Sequence, residues 1–172
     1  ILGGGHGTLF VLTLTPDTLD FGEQIVGTTS DAQTVTVKNT KVDSVTIGTL
    51  EITGEFAIAS DNCTGTNLTQ NQTCSFSVRF SPTSDGAKTG TVTLLYNESV
   101  FLAALPLAGT GIAPAVGLSA TSLTFAPQFI GTTSAAQTVT LTNVGTGTLE
   151  IGTLTISGDF SFRTNTCNGA SL

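Results

Sequence analysis

The stretch LDFGEQIVGTTSDAQTVTVKN, residues 19–39, occurs a second time as LTFAPQFIGTTSAAQTVTLTN, residues 123–143. Each residue of the first copy has its counterpart 104 positions further along the chain. The alignment continues without a gap as far as Cys63 and its counterpart Cys167. Self-similarity at a fixed spacing is typical of a repeated structural unit, so two copies of one fold are predicted.

The spacing of the repeat also predicts the domain boundaries. Residues 8–113 are predicted to form one complete domain, which is long enough to bury its own core. Residues 1–7 match the end of a copy, and residues 114–172 match only the first part of one. We therefore expect the tail of a preceding repeat, then a complete domain, then the N-terminal part of a truncated second copy.

Alternation of apolar and polar residues predicts several strands within the complete copy. Over residues 74–80, Cys74, Phe76, Val78 and Phe80 are expected to face the core, and Ser75, Ser77 and Arg79 to face outward. Further strands are expected over residues 33–39, 45–52 with a bulge or bend at Gly48, 90–96 and 100–107.

The arrangement of these strands predicts the fold class. No segment repeats its apolar residues at helical spacing over three turns. Turn sequences such as Ser81-Pro82 and Asp85-Gly86 separate the strands. About seven short strands in about 100 residues are typical of an immunoglobulin-like Greek-key sandwich. An all-β chain of tandem sandwiches is therefore predicted.

Charge and composition exclude several classes of partner. The chain carries 12 acidic against 5 basic residues, for a formal net charge of −7. The basic residues are scattered, whereas a phosphate-binding or anionic membrane surface needs them clustered. No apolar run reaches the roughly 18 residues of a spanning helix. We expect no nucleic acid partner and no membrane insertion in this segment.

Several separated blocks of the sequence carry a family resemblance. They are the repeated stretch itself, the block IGTLEITGEF at residues 47–56, VRFSPTSDG at 78–86 and LAGTG at 107–111. Together they resemble the bacterial choice-of-anchor D repeat, which is related to the ASPM/SPD-2/Hydin (ASH) and major-sperm-protein-like immunoglobulin sandwiches. The resemblance implies a sandwich fold, no catalytic residues, and either a secreted or surface setting or intracellular docking at cilia and centrosomes.

Cys63 and Cys74 lie on either side of the polar loop 64–73. A zinc site normally has four ligands, often as CxxC pairs with nearby His, and neither feature is present here. A structural disulfide is therefore favoured over a metal site or a redox pair. Cys167 is expected to lack a partner, because the counterpart of Cys74 falls beyond Leu172.

No catalytic, cofactor or metal site is predicted. His6 lies in the glycine-rich stretch 3–7, without an identifiable nucleophile and orienting partner, so an exposed turn residue is favoured over a general base. Gly3-Gly4-Gly5 lacks the GK[ST] ending of a phosphate loop. The acidic residues include Asp17, Asp20, Glu23, Glu55, Asp61 and Asp159, but they form no DxDxDG calcium loop and read as surface charge.

The loop between the two cysteines is a candidate for ligand binding, because loops at the ends of sandwiches often bind ligands. Residues 62–71 contain no aromatic side chain for stacking on a sugar, which disfavours carbohydrate. Four glycosylation sequons, at Asn62, Asn67, Asn71 and Asn97, are attributed to chance in a chain rich in Asn and Thr.

These observations favour a non-catalytic structural or adhesive repeat of an extracellular or cell-surface protein. Its expected partners are neighbouring repeats of the same chain, other proteins or surface glycans. One alternative is a glycan- or cell-wall-binding module of a larger enzyme, which an exposed aromatic cluster would support. The other is an intracellular, cytoplasmic or ciliary, ASH-type docking domain, which free thiols at Cys63 and Cys74 would support.

Overall fold

The structure is a computed structural model that describes residues 12–96 and 100–172, and every regular element in those residues is a β-strand. The chain divides into two compact units, Ile1–Gly111 and Ile112–Leu172. Predictions that concern residues 1–7, His6 and the sequon at Asn97 lie outside the described residues. Among the described residues, no helix has the length and apolar character needed to cross a membrane.

The first unit contains ten of the described strands. They are β1 (Leu12–Thr15), β2 (Leu19–Ile25), β3 (Gln33–Asn39), β4 (Val45–Thr46), β5 (Thr49–Ile52), β6 (Phe56–Asp61), β7 (Asn67–Leu68), β8 (Thr73–Phe80), β9 (Gly86–Tyr96) and β10 (Val100–Ile112). One four-stranded sheet has the order β1-β3-β8-β6, the other has the order β2-β10-β9-β5, and β4 pairs with β7.

Apolar side chains from both sheets form one core, which makes the first unit a β-sandwich. On β3 the alternation places Val35 and Val37 inside, both fully buried, while Thr34 and Thr36 are exposed. Leu94 of β9 and Leu105 of β10 supply the facing side. The all-β sandwich predicted from the sequence is confirmed.

Two details of the strand prediction are wrong. Ser77 was expected to face solvent, but it is buried, because β8 is an inner strand and the Ser60 hydroxyl of β6 lies 2.6 Å from the Ser77 hydroxyl. The sequence predicts a bulge or bend at Gly48 within one strand, but the structure has a break there. Strand β4 pairs with β7 and ends before Gly48, and β5 begins after it as an edge strand of the sheet β2-β10-β9-β5. Residues 45–52 therefore form two strands.

The second unit contains two short strands, β11 (Val116–Leu118) and β12 (Leu141–Asn143), which pair antiparallel. Many of its apolar residues are exposed: Phe129, Ile130, Val139, Val144, Leu154, Ile156, Phe160 and Phe162. In the first unit, positions equivalent to several of these lie in the core because β8, β9 and β10 cover them. Residues 112–172 contain no counterparts of those three strands.

The two units nevertheless share local geometry at the spacing of the repeat. The Gln33 side chain donates to the Asp20 carbonyl at 2.9 Å, and Gln137 donates to the Thr124 carbonyl at 2.8 Å. Glycines with positive φ also recur, at Gly27 and Gly131, both with φ 81°. The repeated sequence therefore adopts the same turns in both units, because these contacts are local to each copy.

Candidate functional site

The loop 62–73 connects β6 to β8 and is the best-defined candidate surface of the first unit. A disulfide joins Cys63 to Cys74 at its base, with Cα atoms 5.1 Å apart. Cys63 is fully buried in the core cluster, and Cys74 packs against that cluster. The loop is therefore covalently closed where it leaves and re-enters the sandwich.

Two neighbouring segments, strand β4 and the end of β3, hold the middle of this loop. Leu68 is buried, and its short strand pairs with Val45. The backbone amide of Asn71 donates to the Asn39 carbonyl at 2.8 Å, and the Asn39 amide donates to the Gln72 carbonyl at 3.1 Å. A loop that carries a disulfide, a buried anchor and backbone hydrogen bonds has few conformations left to lose on binding.

Asn39 itself is a buried polar residue that joins the end of β3 to this loop. Its Nδ2 donates to the Leu68 carbonyl at 2.9 Å and to the Asp43 carbonyl at 2.8 Å. Its Oδ1 accepts the Lys41 amide at 2.9 Å. Buried polar groups cost free energy unless they are hydrogen-bonded, and here both ends of the side-chain amide are satisfied.

Asp61 precedes the disulfide and caps the turn that contains Cys63. Its carboxylate accepts the backbone amides of Cys63 at 2.7 Å and Thr64 at 3.1 Å, together with the Thr64 hydroxyl. Burial raises the pKa of this carboxyl, but the three hydrogen bonds outweigh burial and leave the pKa below its ordinary value. In the second unit Asn165 takes the same place, and its side chain accepts the Cys167 amide at 3.0 Å.

Glu55 plays a comparable part at the other end of β6, directly before the strand begins. It accepts the Thr83 hydroxyl at 2.7 Å and the Thr83 amide at 2.8 Å, and Lys88 Nζ lies 3.5 Å away. The hydrogen bonds from Thr83 lower the pKa of the Glu55 carboxyl, and the charge of Lys88 adds to this effect. Glu55 and Asp61 thus fasten loops within the fold.

The other acidic residues named from the sequence, among them Asp17, Asp20 and Asp159, do not come together as a cation site. Asp20 accepts the backbone amide of Gly22 at 2.9 Å and stabilises its own turn. Within residues 12–96 and 100–172, no group of three or more His, Cys, Asp or Glu side chains is placed to hold a metal ion. A surface groove of about 530 Å³ is lined by residues 12–17 with Ala103 and Ala104, and Asp17 is its one ionisable residue among those described.

The exposed part of the loop offers neutral hydrogen-bonding groups. The sequon residues Asn62, Asn67 and Asn71 are all exposed. Asn67 also donates to the Thr46 hydroxyl at 3.0 Å. With amide and hydroxyl groups at its surface, this loop is suited to making hydrogen-bonded contacts.

Sequence reasoning found the two cysteines, but it gave Asn39 no role and interpreted Asp61 as surface charge. A signal was available for each of them. Asn39 recurs as Asn143 and Asp61 recurs as Asn165, so a hydrogen-bonding side chain is kept in both copies. Asp61 bonds only to groups two and three positions away, as side chains that stabilise turns commonly do. Asn39 makes similar local bonds and adds one to the Leu68 carbonyl, 29 positions away.

Comparison with known proteins identifies the family. The family model described as Abnormal spindle-like microcephaly-assoc'd, ASPM-SPD-2-Hydin (ASH), matches residues 10–102. Comparison with curated proteins gives no match.

Several solved structures resemble the fold at low sequence identity. The ASH/PapD-like domain 7 of human CEP192 is 13% identical, with 65% of this chain and 93% of that chain covered and a TM-score of 0.41. WR4, a C. elegans member of the MSP family, is 4% identical, with 59% of this chain and 98% of that chain covered and a TM-score of 0.39.

A third similar structure is the secreted serine protease VesC from Vibrio cholerae, at 16% identity and a TM-score of 0.45, with 56% of this chain covered. The chain spans 22% of the length of VesC and 32% of that of the V. cholerae protease VesB. The resemblance to ASH domains predicted from the sequence is confirmed by the family model. The ASH model covers more than half of the chain, and this protein belongs to the ASH family, whose domains mediate protein interactions.

Proposed function

We propose that the first unit is a non-catalytic structural or adhesive module of an extracellular or cell-surface protein built from several such domains. The observation that carries this proposal is the Cys63–Cys74 disulfide at the base of loop 62–73. Disulfides persist in oxidising compartments, whereas cytosolic proteins keep their thiols reduced. A disulfide that closes a loop of the sandwich therefore supports a secreted or surface setting.

The surface of loop 62–73 supports a role in binding. Its exposed residues are uncharged amides and hydroxyls, and its backbone is held by the disulfide, Leu68 and Asn39. A loop held in this way loses little conformational freedom when a partner binds, which favours affinity. The partners we propose are neighbouring domains of the same protein, other proteins or surface glycans.

The proposal is tested by the state of the cysteines in the folded chain. The protein is produced in an oxidising compartment, alkylated without reductant, digested and analysed by mass spectrometry. We expect a peptide that links Cys63 to Cys74, with the free Cys167 alkylated as an internal control in the same sample. Alkylation of Cys63 and Cys74 in folded, unreduced protein would overturn the proposed extracellular setting.

The second candidate is an intracellular docking domain, which the match to the ASH model favours. An intracellular docking domain would have to be stable without the Cys63–Cys74 disulfide, because cytosolic thiols stay reduced. The same protein is therefore produced in a reducing cytosol and its thermal unfolding is compared with that of the oxidised form. A cooperative transition of the reduced form above about 50 °C, within the usual range of mesophilic domains, would favour intracellular docking.

A further inference from the structure

One loop of the second unit, residues 143–147, holds the connection from β10 to β11, residues 113–115. Both amides of the connection donate to side chains of this loop, the Ala113 amide to the Thr146 hydroxyl at 3.3 Å and the Ala115 amide to Asn143 Oδ1 at 3.3 Å. The residue between them is a proline, which has no amide hydrogen to satisfy. Every backbone donor of the connection is therefore bonded to the loop.

The carbonyl groups of the connection bond to the same loop. The Ala113 carbonyl accepts the amides of Thr146 and Gly147, each at 3.0 Å. The Ala115 carbonyl accepts the Val144 amide at 2.8 Å. A segment whose donors and acceptors are bonded in this way is an ordered part of the fold, because its backbone groups no longer depend on water.

The loop approaches the connection closely because two of its residues have no side chain. A Cβ added at Gly145 would lie 2.3 Å from the Ala113 carbonyl oxygen and 2.5 Å from the Ala115 nitrogen. A Cβ added at Gly147, which is buried, would lie 3.0 Å from the carbonyl carbon of Ala113. Glycine at both positions therefore leaves the space that the connection fills.

The equivalent loop of the first unit has the same turn but not this space. Asn39 Oδ1 accepts the Lys41 amide at 2.9 Å, as Asn143 Oδ1 accepts the Gly145 amide at 3.0 Å. The first unit nevertheless has Lys41 and Asp43 at the positions of the two glycines. Clearance for a connecting segment is therefore specific to the loop of the second unit and does not follow from the turn itself.

We propose that loop 143–147 is a docking site for residues 113–115, and that its two glycines make the connection a fixed element of the second unit in place of a free hinge. The site takes a short backbone segment of small residues. Alanine and proline side chains lose no rotamer freedom when they become ordered, so Ala-Pro-Ala docks at low entropic cost. This inference rests on the proposed role as a structural module among several domains, where the order of a connection sets its stiffness.

The test uses the full chain and compares variants of the loop. The double variant Gly145→Lys with Gly147→Asp places the residues of the first loop in the second. Thr146→Val removes only the hydroxyl that accepts the Ala113 amide. Gly152→Lys is the control, because a Cβ at Gly152 has no neighbour within 4 Å. Nuclear magnetic resonance measures the order parameters and the exchange rates of the backbone amides.

In the native chain and the control, Ala113 and Ala115 are expected to have order parameters of about 0.8 or higher, as in rigid backbone. In the double variant these values should fall below about 0.6, and exchange of both amides should become about tenfold faster or more. The amides of Gly117 and Thr142, which are paired between β11 and β12, should keep their native exchange rates and show that the variant is folded.

Thr146→Val is expected to speed exchange at Ala113 and to leave Ala115 unchanged. Low order parameters in the native chain would overturn the proposal, and so would native values in a folded double variant. If the double variant loses the pairing of β11 with β12, the outcome rests on Thr146→Val, and unchanged exchange at Ala113 would then overturn the proposal. The variants leave Cys63 and Cys74 intact, so failure here is distinguishable from failure of the proposed extracellular setting.

Discussion

Asn39 Nδ2 donates to the Leu68 carbonyl at 2.9 Å, across 29 positions of sequence, and joins the end of a core strand to the disulfide-closed loop. The second unit repeats this bond from Asn143 to the Leu172 carbonyl at 3.0 Å, again across 29 positions. The two differ in burial, since Asn39 is 2% exposed whereas Asn143 is only partly buried. The same hydrogen bond is therefore expected to contribute more to stability in the first unit.

Replacing Asn39 with alanine is expected to destabilise the first unit by about 2–3 kcal/mol, because the buried Leu68 carbonyl and the partly buried Asp43 carbonyl lose their donor. Urea unfolding followed by tyrosine fluorescence measures this, since Tyr96 is the one tyrosine and there is no tryptophan. Asn143→Ala is the matched control and should leave the Tyr96 transition unchanged. Equal effects of both substitutions would contradict the difference in burial.

Removing the disulfide with the double substitution Cys63→Ser and Cys74→Ser is expected to cost about 3 kcal/mol. A cross-link between residues 11 positions apart restricts the unfolded chain, and a short closed loop gives a stabilisation of that size in the chain-entropy model. The Tyr96 unfolding midpoint in urea measures the change. Cys167→Ser is the control and is expected to have no effect, because Cys167 is free.

Gly90→Ala is expected to destabilise the first unit by about 1–3 kcal/mol through overpacking. An added Cβ would lie 2.3 Å from the Thr53 carbonyl oxygen and 2.7 Å from the Phe56 ring. At Gly152 an added Cβ has no neighbour within 4 Å, so Gly152→Ala is the control. Thermal unfolding of both variants checks the prediction, which an unchanged Tm for Gly90→Ala would contradict.

The carboxylate of Asp61 is expected to make stability depend on pH. Its pKa in the folded protein lies below the ordinary value, so its contribution is present above the unfolded pKa and is lost as the pH falls through the folded pKa. Asp61→Asn keeps the turn, as Asn165 does in the second unit, but removes the titration. Between about pH 6 and pH 2.5 the Tm of the native chain should therefore fall further than that of the variant. If Tm falls equally with pH in both proteins, the Asp61 carboxylate does not contribute to the pH dependence of stability.

Much of the first unit could be predicted from sequence because its signals are local. The alternation over residues 33–39 correctly placed Val35 and Val37 in the core, since side chains on a strand alternate between its two faces. Ser77 could not be predicted in the same way. Its burial depends on Ser60 of a neighbouring strand, and that pairing is not encoded by residues close to Ser77.

The loop 62–73 likewise has features that local sequence predicts and features that depend on the fold. Its two cysteines were recognisable from their type and spacing, and Asp61 bonds to backbone amides only two and three positions away. The role of Asn39 depends on the Leu68 carbonyl, which the fold brings to it from 29 positions away. The sequence indicates these two roles only through the repeat, because the second copy keeps a hydrogen-bonding side chain at both positions, as Asn143 and Asn165.

The sequence by itself determined the turns, the repeat and the alternation of apolar residues, because glycine conformation, side-chain caps and alternation act over a few residues. The tertiary structure alone decided which of the alternating segments pair as strands around a core. Residues 33–39 form β3, whereas of the equivalent residues 137–143 only Leu141–Asn143 form a strand. Phe56 and Phe160 occupy equivalent places in nearly the same local sequence, yet one is buried and the other exposed. The difference arises because Phe80 and its sheet cover the first, and burial requires a partner from a distant part of the chain.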